Sequence, residues 1–297
     1  LVLRCKPGEN VNFCAAKKLE KDGFVSVSDK AVLAKIPESA SENVLEYTLA
    51  ETPPIYTADT TPGLFADGRI QQIAKYPNDG YTSVKSSVQE YSGGFSDSEY
   101  TQVVLYDDAG NWSGAKYAYA EGYFAHDYDY RKVKVAGFDD TSKRLTTEGA
   151  HRIDLDVYPQ NPRRLRIVNL LEELDSPGEW YYDRDMSKLY WYPADFEDIN
   201  EIRLTVSENP MLEISKSRNV EVRGMGFSQS TGVGIKAEDT DGFSVDGCSF
   251  DGILSDAVLV VSGKNCKIKN CVFTNGARGI VINSGDFQNL GASGNVV

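Results

Sequence analysis

The residues best suited to chemistry here are carboxylates that interrupt an otherwise regular pattern. Asp251 and Asp256 flank Gly252-Ile-Leu-Ser255, and Asp246 stands where the equivalent phrases carry Arg223 and Lys269. Asp286 lies in the segment Ser284-Gly-Asp-Phe-Gln-Asn-Leu-Gly-Ala-Ser293. Acid/base hydrolysis of a glycosidic bond needs two carboxyl groups, about 5–5.5 Å apart for retention or about 6.5–9.5 Å for inversion. Neighbouring strands lie about 4.8 Å apart, so acids on adjacent strands could form such a pair. Asp251, Asp256 and Asp286 are therefore the candidate catalytic residues. Arg278 could bind a carboxylated or hydroxylated ring, Gln288 shares the loop of Asp286, and Trp112 could stack on a sugar face. Each has a plainer reading too: Asp246 pairs with a base on the next strand, Asp251 and Asp256 cap turn amides, and Trp112 packs in a core. Glu179, in Pro177-Gly-Glu-Trp180, is tempting as an acid, but a residue opening a hairpin is better explained by the fold.

These residues are positioned by a repeat. Asn219-Val-Glu-Val-Arg-Gly-Met-Gly-Phe227, Gly242-Phe-Ser-Val-Asp-Gly-Cys-Ser-Phe250 and Asn265-Cys-Lys-Ile-Lys-Asn-Cys-Val-Phe273 superpose with a step of 250 − 227 = 23 residues. A period in the twenties means a solenoid, whose coils bury their apolar sides by stacking. Val220/Val222, Phe243/Val245 and Cys266/Ile268 alternate with polar residues, as in strands buried on one face. Gly224, Gly247 and Asn270 follow where the chain must turn, and Gly and Asn tolerate the left-handed conformation cheaply. A second apolar stretch follows in each coil, around Ile235, Val258 and Ile280. No recurring Leu pattern or helix supports a leucine-rich repeat. The fold class expected is all-β: a right-handed parallel β-helix, a pectate-lyase-like solenoid, with an inserted small antiparallel β-barrel.

The 297 residues suit two structural units. Residues 1–42 read as an early coil with strands at Leu3/Cys5, Val11/Phe13 and Phe24–Val27. Residues 43–205 lack the 23-residue step and carry short alternating strands around Val44–Leu49, Gly68–Ile73, Thr101–Tyr106, Lys132–Val135 and Leu165–Val168, which argue for a barrel or sandwich. Residues 206–297 are coils, and Asn295 looks like the start of another, in the place of Asn219 and Asn265. The chain is thus expected to be a fragment, with β-helix missing at both ends. A net charge of −13 argues against nucleic acid and anionic membranes as partners. No apolar run approaches the roughly 20 residues of a membrane span. Cys248, Cys266 and Cys271 fall at inward positions, so a disulfide framework is not expected, and two histidines leave little basis for zinc or copper. No organic cofactor is expected. Calcium could bind an oxygen-rich turn such as Glu238-Asp-Thr-Asp241, which also reads as a solvated acidic turn.

Two phrases in the middle of the chain are more specific. One is Ala74-Lys-Tyr-Pro-Asn78. The other is Asn169-Leu-Leu-Glu-Glu-Leu-Asp-Ser-Pro-Gly-Glu-Trp-Tyr-Tyr-Asp-Arg-Asp185, closed by Leu189-Tyr-Trp-Tyr-Pro193. The second reads as a short helix over Leu170–Leu174, then a hairpin with Trp180/Tyr182 facing Tyr190/Tyr192. Together they resemble bacterial right-handed β-helix carbohydrate-active proteins in which an α-1,3-galactosidase-type barrel is inserted between an early coil and the main helix. That resemblance implies a secreted or periplasmic glycoside hydrolase acting on a polysaccharide or oligosaccharide, with its main catalytic coils C-terminal to residue 297. A polysaccharide lyase and a non-catalytic glycan-binding adhesin are the alternatives. No family catalytic motif matches residue by residue, so no catalytic residue is carried over.

Overall fold

The computed structural model describes residues 1–50, 52–88, 101–105, 109–124, 126–149, 163–283 and 292–297. Their architecture is a parallel β-solenoid interrupted by a β-rich insertion. Three parallel sheets form its faces. The first stacks Val2–Arg4, Glu221–Arg223, Ser244–Asp246 and Lys267–Lys269, and the second stacks Asn12–Cys14, Gly226–Ser230, Ser249–Ile253 and Val272–Thr274. The third stacks Leu212–Ser215, Ile235–Glu238, Asp256–Val261 and Arg278–Asn283. The pairings join residues one period apart, Phe227 with Phe250 and Phe250 with Phe273. Like therefore stacks on like. The three rings lie 5.1 Å apart and nearly parallel, and Phe13 extends the ladder at 5.3 Å from Phe227.

The corners show why the repeat tolerates so few residue types. Lys216, Asn219, Gly224 and Gln229 have positive φ, as do Asp239, Gly242, Gly247 and Gly252, then Ser262, Asn265, Asn270 and Asn275. Four left-handed corners thus recur per coil, where the sequence alone suggested one. Gly294 occupies the Asn219/Gly242/Asn265 corner, because Ser293 pairs with Lys264. Asn295 accordingly sits one residue further on, a correction to the expected register, and its amide accepts from Cys266 N and donates to Gly263 O.

The insertion enters between the second and third faces of the first coil. Phe13 and Cys14 still pair with the solenoid, but Ala16–Leu19 pairs antiparallel with Ile202–Thr205. The expected third coil strand at 24–27 is not part of the solenoid. Val25–Ser26 pairs instead with Leu45–Thr48, in a five-stranded sheet completed by Lys188–Tyr192, Glu179–Asp183 and Gln72–Ile73. Beyond it lies a closed six-stranded barrel. Its strands run Thr82–Val88, Gln102–Leu105, Arg144–Thr147, Tyr130–Asp139, Tyr119–Tyr123 and Arg164–Val168, which pairs back to the first; Lys75–Tyr76 adds to its side. Closure removes exposed strand edges.

The helix expected at Leu170–Leu174 is a single 3-10 turn, Leu171–Glu173. The hairpin after it forms in a different register from that expected. Trp180 faces Trp191 and Tyr182 faces Leu189, because Asp183 caps the turn by accepting from the amides of Asp185 and Met186 and so fixes Asp183 opposite Lys188. The two specific phrases meet in space: Asn78 donates to Asp175 and Ser176 at 2.8 and 2.7 Å. No helix among the described residues is long and apolar enough to cross a membrane.

Candidate functional site

The solenoid carboxylates are engaged in stacking. Asn265, Asn270 and Asn275 each donate an amide hydrogen to the aspartate 24 residues earlier: Asp241 at 2.9 Å, Asp246 at 2.9 Å and Asp251 at 2.8 Å. Asp251 also accepts from Thr274 at 2.7 Å, and Asp246 lies 3.4 Å from Lys269. The hydrogen bond from Asn270 holds the Asp246 carboxyl below its ordinary range. Asp256 is no exposed turn residue. It is the first residue of its strand, only 4% exposed, and Oδ1 lies 2.6 Å from Arg278 Nε. That contact lacks hydrogen-bond geometry, so it acts as an ion pair. Arg278, opposite Asp256 in the parallel pairing, is thereby neutralised. Asp286 and Gln288 lie outside the described residues, as does His151. Glu238 and Asp241 of the proposed calcium turn are taken by Lys236 and Asn265, and among the described residues no cluster of three His, Cys, Asp or Glu could hold a metal.

Trp112 is barrel core. It is 2% exposed, packs on Phe138 and Tyr76 with ring centroids 4.7 and 5.2 Å away, and donates Nε1–H to Glu173 at 2.6 Å. It has no face open to a sugar. Glu179 is 1% exposed and accepts from Gln72 and from the amides of Asp175 and Ser176. That is the structural role its place at the hairpin suggested. Burial pushes the carboxyls of Glu173 and Glu179 up to about 7.

What the sequence did not single out is a pocket of about 360 Å³ where the insertion meets the solenoid. Its polar wall comes from barrel strands: Glu121, Tyr130, Lys132 and Arg166, with Lys75 from the strand added to the barrel's side and Tyr56 from a loop. Leu254, in the solenoid turn between the second and third faces, closes it from the other side. That turn is equivalent to the one at which the insertion leaves the first coil, which explains why the two meet there. Glu121 is 3% exposed. One oxygen accepts from Tyr56 Oη and the other from Arg166 Nε. Lys132 donates to Thr61 and lies 4.9 Å from the Tyr56 ring centre. Desolvation raises the Tyr56 and Tyr130 hydroxyls and lowers the ammoniums of Lys75 and Lys132. Nothing in the linear order links Glu121 to Tyr56, Lys75 or Arg166.

Apolar and aromatic walls with a few converging polar groups are the usual make-up of a small-molecule site. Tyrosine hydroxyls and the amides of Gln71 and Gln72 offer hydrogen bonds to hydroxyls, while Ile70, Ile73 and Leu254 offer apolar surface.

Residues 195–297 match the family described as the right handed beta helix region. No curated protein gives a match to the chain. A solved structure described as a glycoside hydrolase superposes with a TM-score of 0.69 at 14% sequence identity, covering 95% of this chain and 55% of that one. The chain thus spans about half the length of that structure, and the likeness is one of fold. Together these findings identify the solenoid as a right-handed parallel β-helix.

Proposed function

We propose that this chain is part of a secreted or periplasmic carbohydrate-active enzyme, a glycoside hydrolase, and that its glycan docks in the pocket between barrel and solenoid. The observation that carries this reading is the pocket: hydroxyl, amide and charged groups line it together with apolar residues from both units. The shared fold with a structure described as a glycoside hydrolase supports the reaction class. Within the pocket, Glu121 holds Tyr56 and Arg166 in place, since both of its oxygens are engaged. Those two side chains and the glutamine amides orient a sugar ring, and Leu254 with the isoleucines excludes water from its far face. Asp251 and Asp256 serve coil stacking and an ion pair in this reading, and the acid and base of hydrolysis are not assigned to them.

One observation favours a second reaction, lyase cleavage. It needs a base to remove a proton beside a carboxylate, and an ammonium of lowered pKa such as Lys75 suits that task. The test is incubation of the protein with arrayed plant, algal and host glycans, followed by analysis of products. New reducing ends without ultraviolet absorbance establish hydrolysis, and absorbing unsaturated ends establish the lyase. Binding without cleavage identifies a glycan-binding module, and no binding to any glycan overturns the proposal.

A further inference from the structure

We infer that the pocket selects an acidic sugar, one bearing a carboxylate or a sulfate ester, and that Lys75 is the residue that recognises the acid group. The inference rests on the reading that this pocket binds glycan, and it adds the substrate class. Lys75 is carried on the Lys75–Tyr76 strand, where it pairs with Val168, and it lines the pocket at only 9% exposure. Among the described residues its ammonium has neither a hydrogen-bond acceptor nor an ion-pair partner. A buried charge is ordinarily paired, because an uncompensated one carries a large desolvation penalty. Fixed in the wall of an open pocket, such a group fits an anion supplied by a ligand.

The neighbouring charges point the same way. Among the described residues Lys132 hydrogen-bonds only the Thr61 hydroxyl and lies over the face of Tyr56, and Arg166 shares Glu121 with Tyr56. The lining, among the described residues, thus holds the cations Lys75, Lys132 and Arg166 against the carboxylate of Glu121, while Glu179 and Asp79 act on Lys75 from outside the lining without a direct ion pair. This local excess of positive charge exists in a chain of net charge −13, so it does not follow from composition. The acidic surface does not prevent an anion from docking, because charges more than about 8 Å away are screened at physiological salt. Inorganic anions would need no apolar wall. The isoleucines, Leu254 and the tyrosines provide one, and an acidic sugar presents both a charged edge and an apolar ring face.

The test measures binding of the wild-type chain, Lys75→Met and Lys75→Gln to arrayed uronate-bearing, sulfated and neutral glycans, with inorganic sulfate as a separate probe. The expected result is that acidic glycans bind at least about tenfold more tightly than their neutral parents, and that both variants lose this preference. Both variants should also melt no lower than the wild type without ligand, because the change removes an unpartnered buried charge. Uronate-only or sulfate-only binding supports the inference and says which acid group is used. Equal binding of acidic and neutral glycans, or a preference that survives both substitutions, overturns it while leaving the glycan site intact. Inorganic sulfate protecting the fold as well as the acidic glycans do would reduce the site to an ion site and overturn the sugar assignment. If no glycan binds, the glycan reading itself falls.

Discussion

In the solenoid, Asn270 meets Asp246 across 24 residues and Thr274 meets Asp251 across 23; in the insertion, Glu121 meets Arg166 across 45 residues, Tyr56 across 65, and Gln72 meets Glu179 across 107. The solenoid repeats one local solution, so each coil depends chiefly on its neighbours and Asp246, Asp251 and Asp256 are engaged between coils. The insertion closes a barrel, which brings remote residues together and can hold polar groups that are incompletely paired. Lys75 is such a group. The regular part is scaffold, and the irregular part holds the pocket to which we assign recognition.

Glycine substitution separates the two regions most sharply. A Cβ on Gly122, at φ +149, would lie 2.1 Å from the Arg164 carbonyl oxygen across the strand pair, whereas one on Gly247 would meet nothing within 4 Å. Gly122→Ala is therefore expected to cost above about 4 kcal/mol, in the range reserved for exceptional substitutions. Gly247→Ala should cost only the left-handed conformation, about 1–2 kcal/mol. Denaturant unfolding of both variants checks this, and similar losses would mean that the barrel strands part easily at Gly122.

The aromatic ladder comes next. Phe250 is 1% exposed between Phe227 and Phe273. Phe250→Ala should cost about 3–4 kcal/mol, within the usual span for buried aromatics. Because coils couple only to neighbours, hydrogen exchange should accelerate in the flanking coils and stay slow in the barrel. Uniform acceleration would show one cooperative unit instead.

Acidity gives the smallest contrast, with opposite signs in the two regions. Burial raises Glu173 and Glu179 to about 7, so the folded insertion binds more protons than the unfolded chain between the usual glutamate range and pH 7. Its stability should therefore fall as pH rises across that window. Asp246 is shifted down by Asn270, so its contribution to the solenoid is present at neutral pH and is lost as pH falls through the acid range. Melting followed by probes in each region, from pH 4 to pH 8, should show the insertion losing stability on the alkaline side. Glu173→Gln should flatten that slope, and an unchanged slope would remove Glu173 as its source.

The linear chain determined the solenoid because its physics is local and periodic. Along the three superposed phrases a side chain one coil away is 23 residues away, so stacked phenylalanines, inward cysteines and turn-forming Gly or Asn are visible as a spacing. Alternation also announced a barrel-like insertion, and the two specific phrases mark a junction where Asn78, Asp175 and Glu179 interlock. Tertiary structure alone decided the hairpin register, which Asp183 fixes, and settled Trp112 as core between its two sequence-based readings, core packing and sugar stacking. It also decided that Asp256 faces Arg278, because opposite charges on adjacent coils are brought into contact only by the parallel pairing. The pocket was least visible of all. Tyr56, Lys75, Glu121, Lys132 and Arg166 share no spacing, and only closure of the barrel against the solenoid turn at Leu254 gives them a common environment. Burial and charge compensation are properties of such an environment, and no periodicity in the chain encodes them.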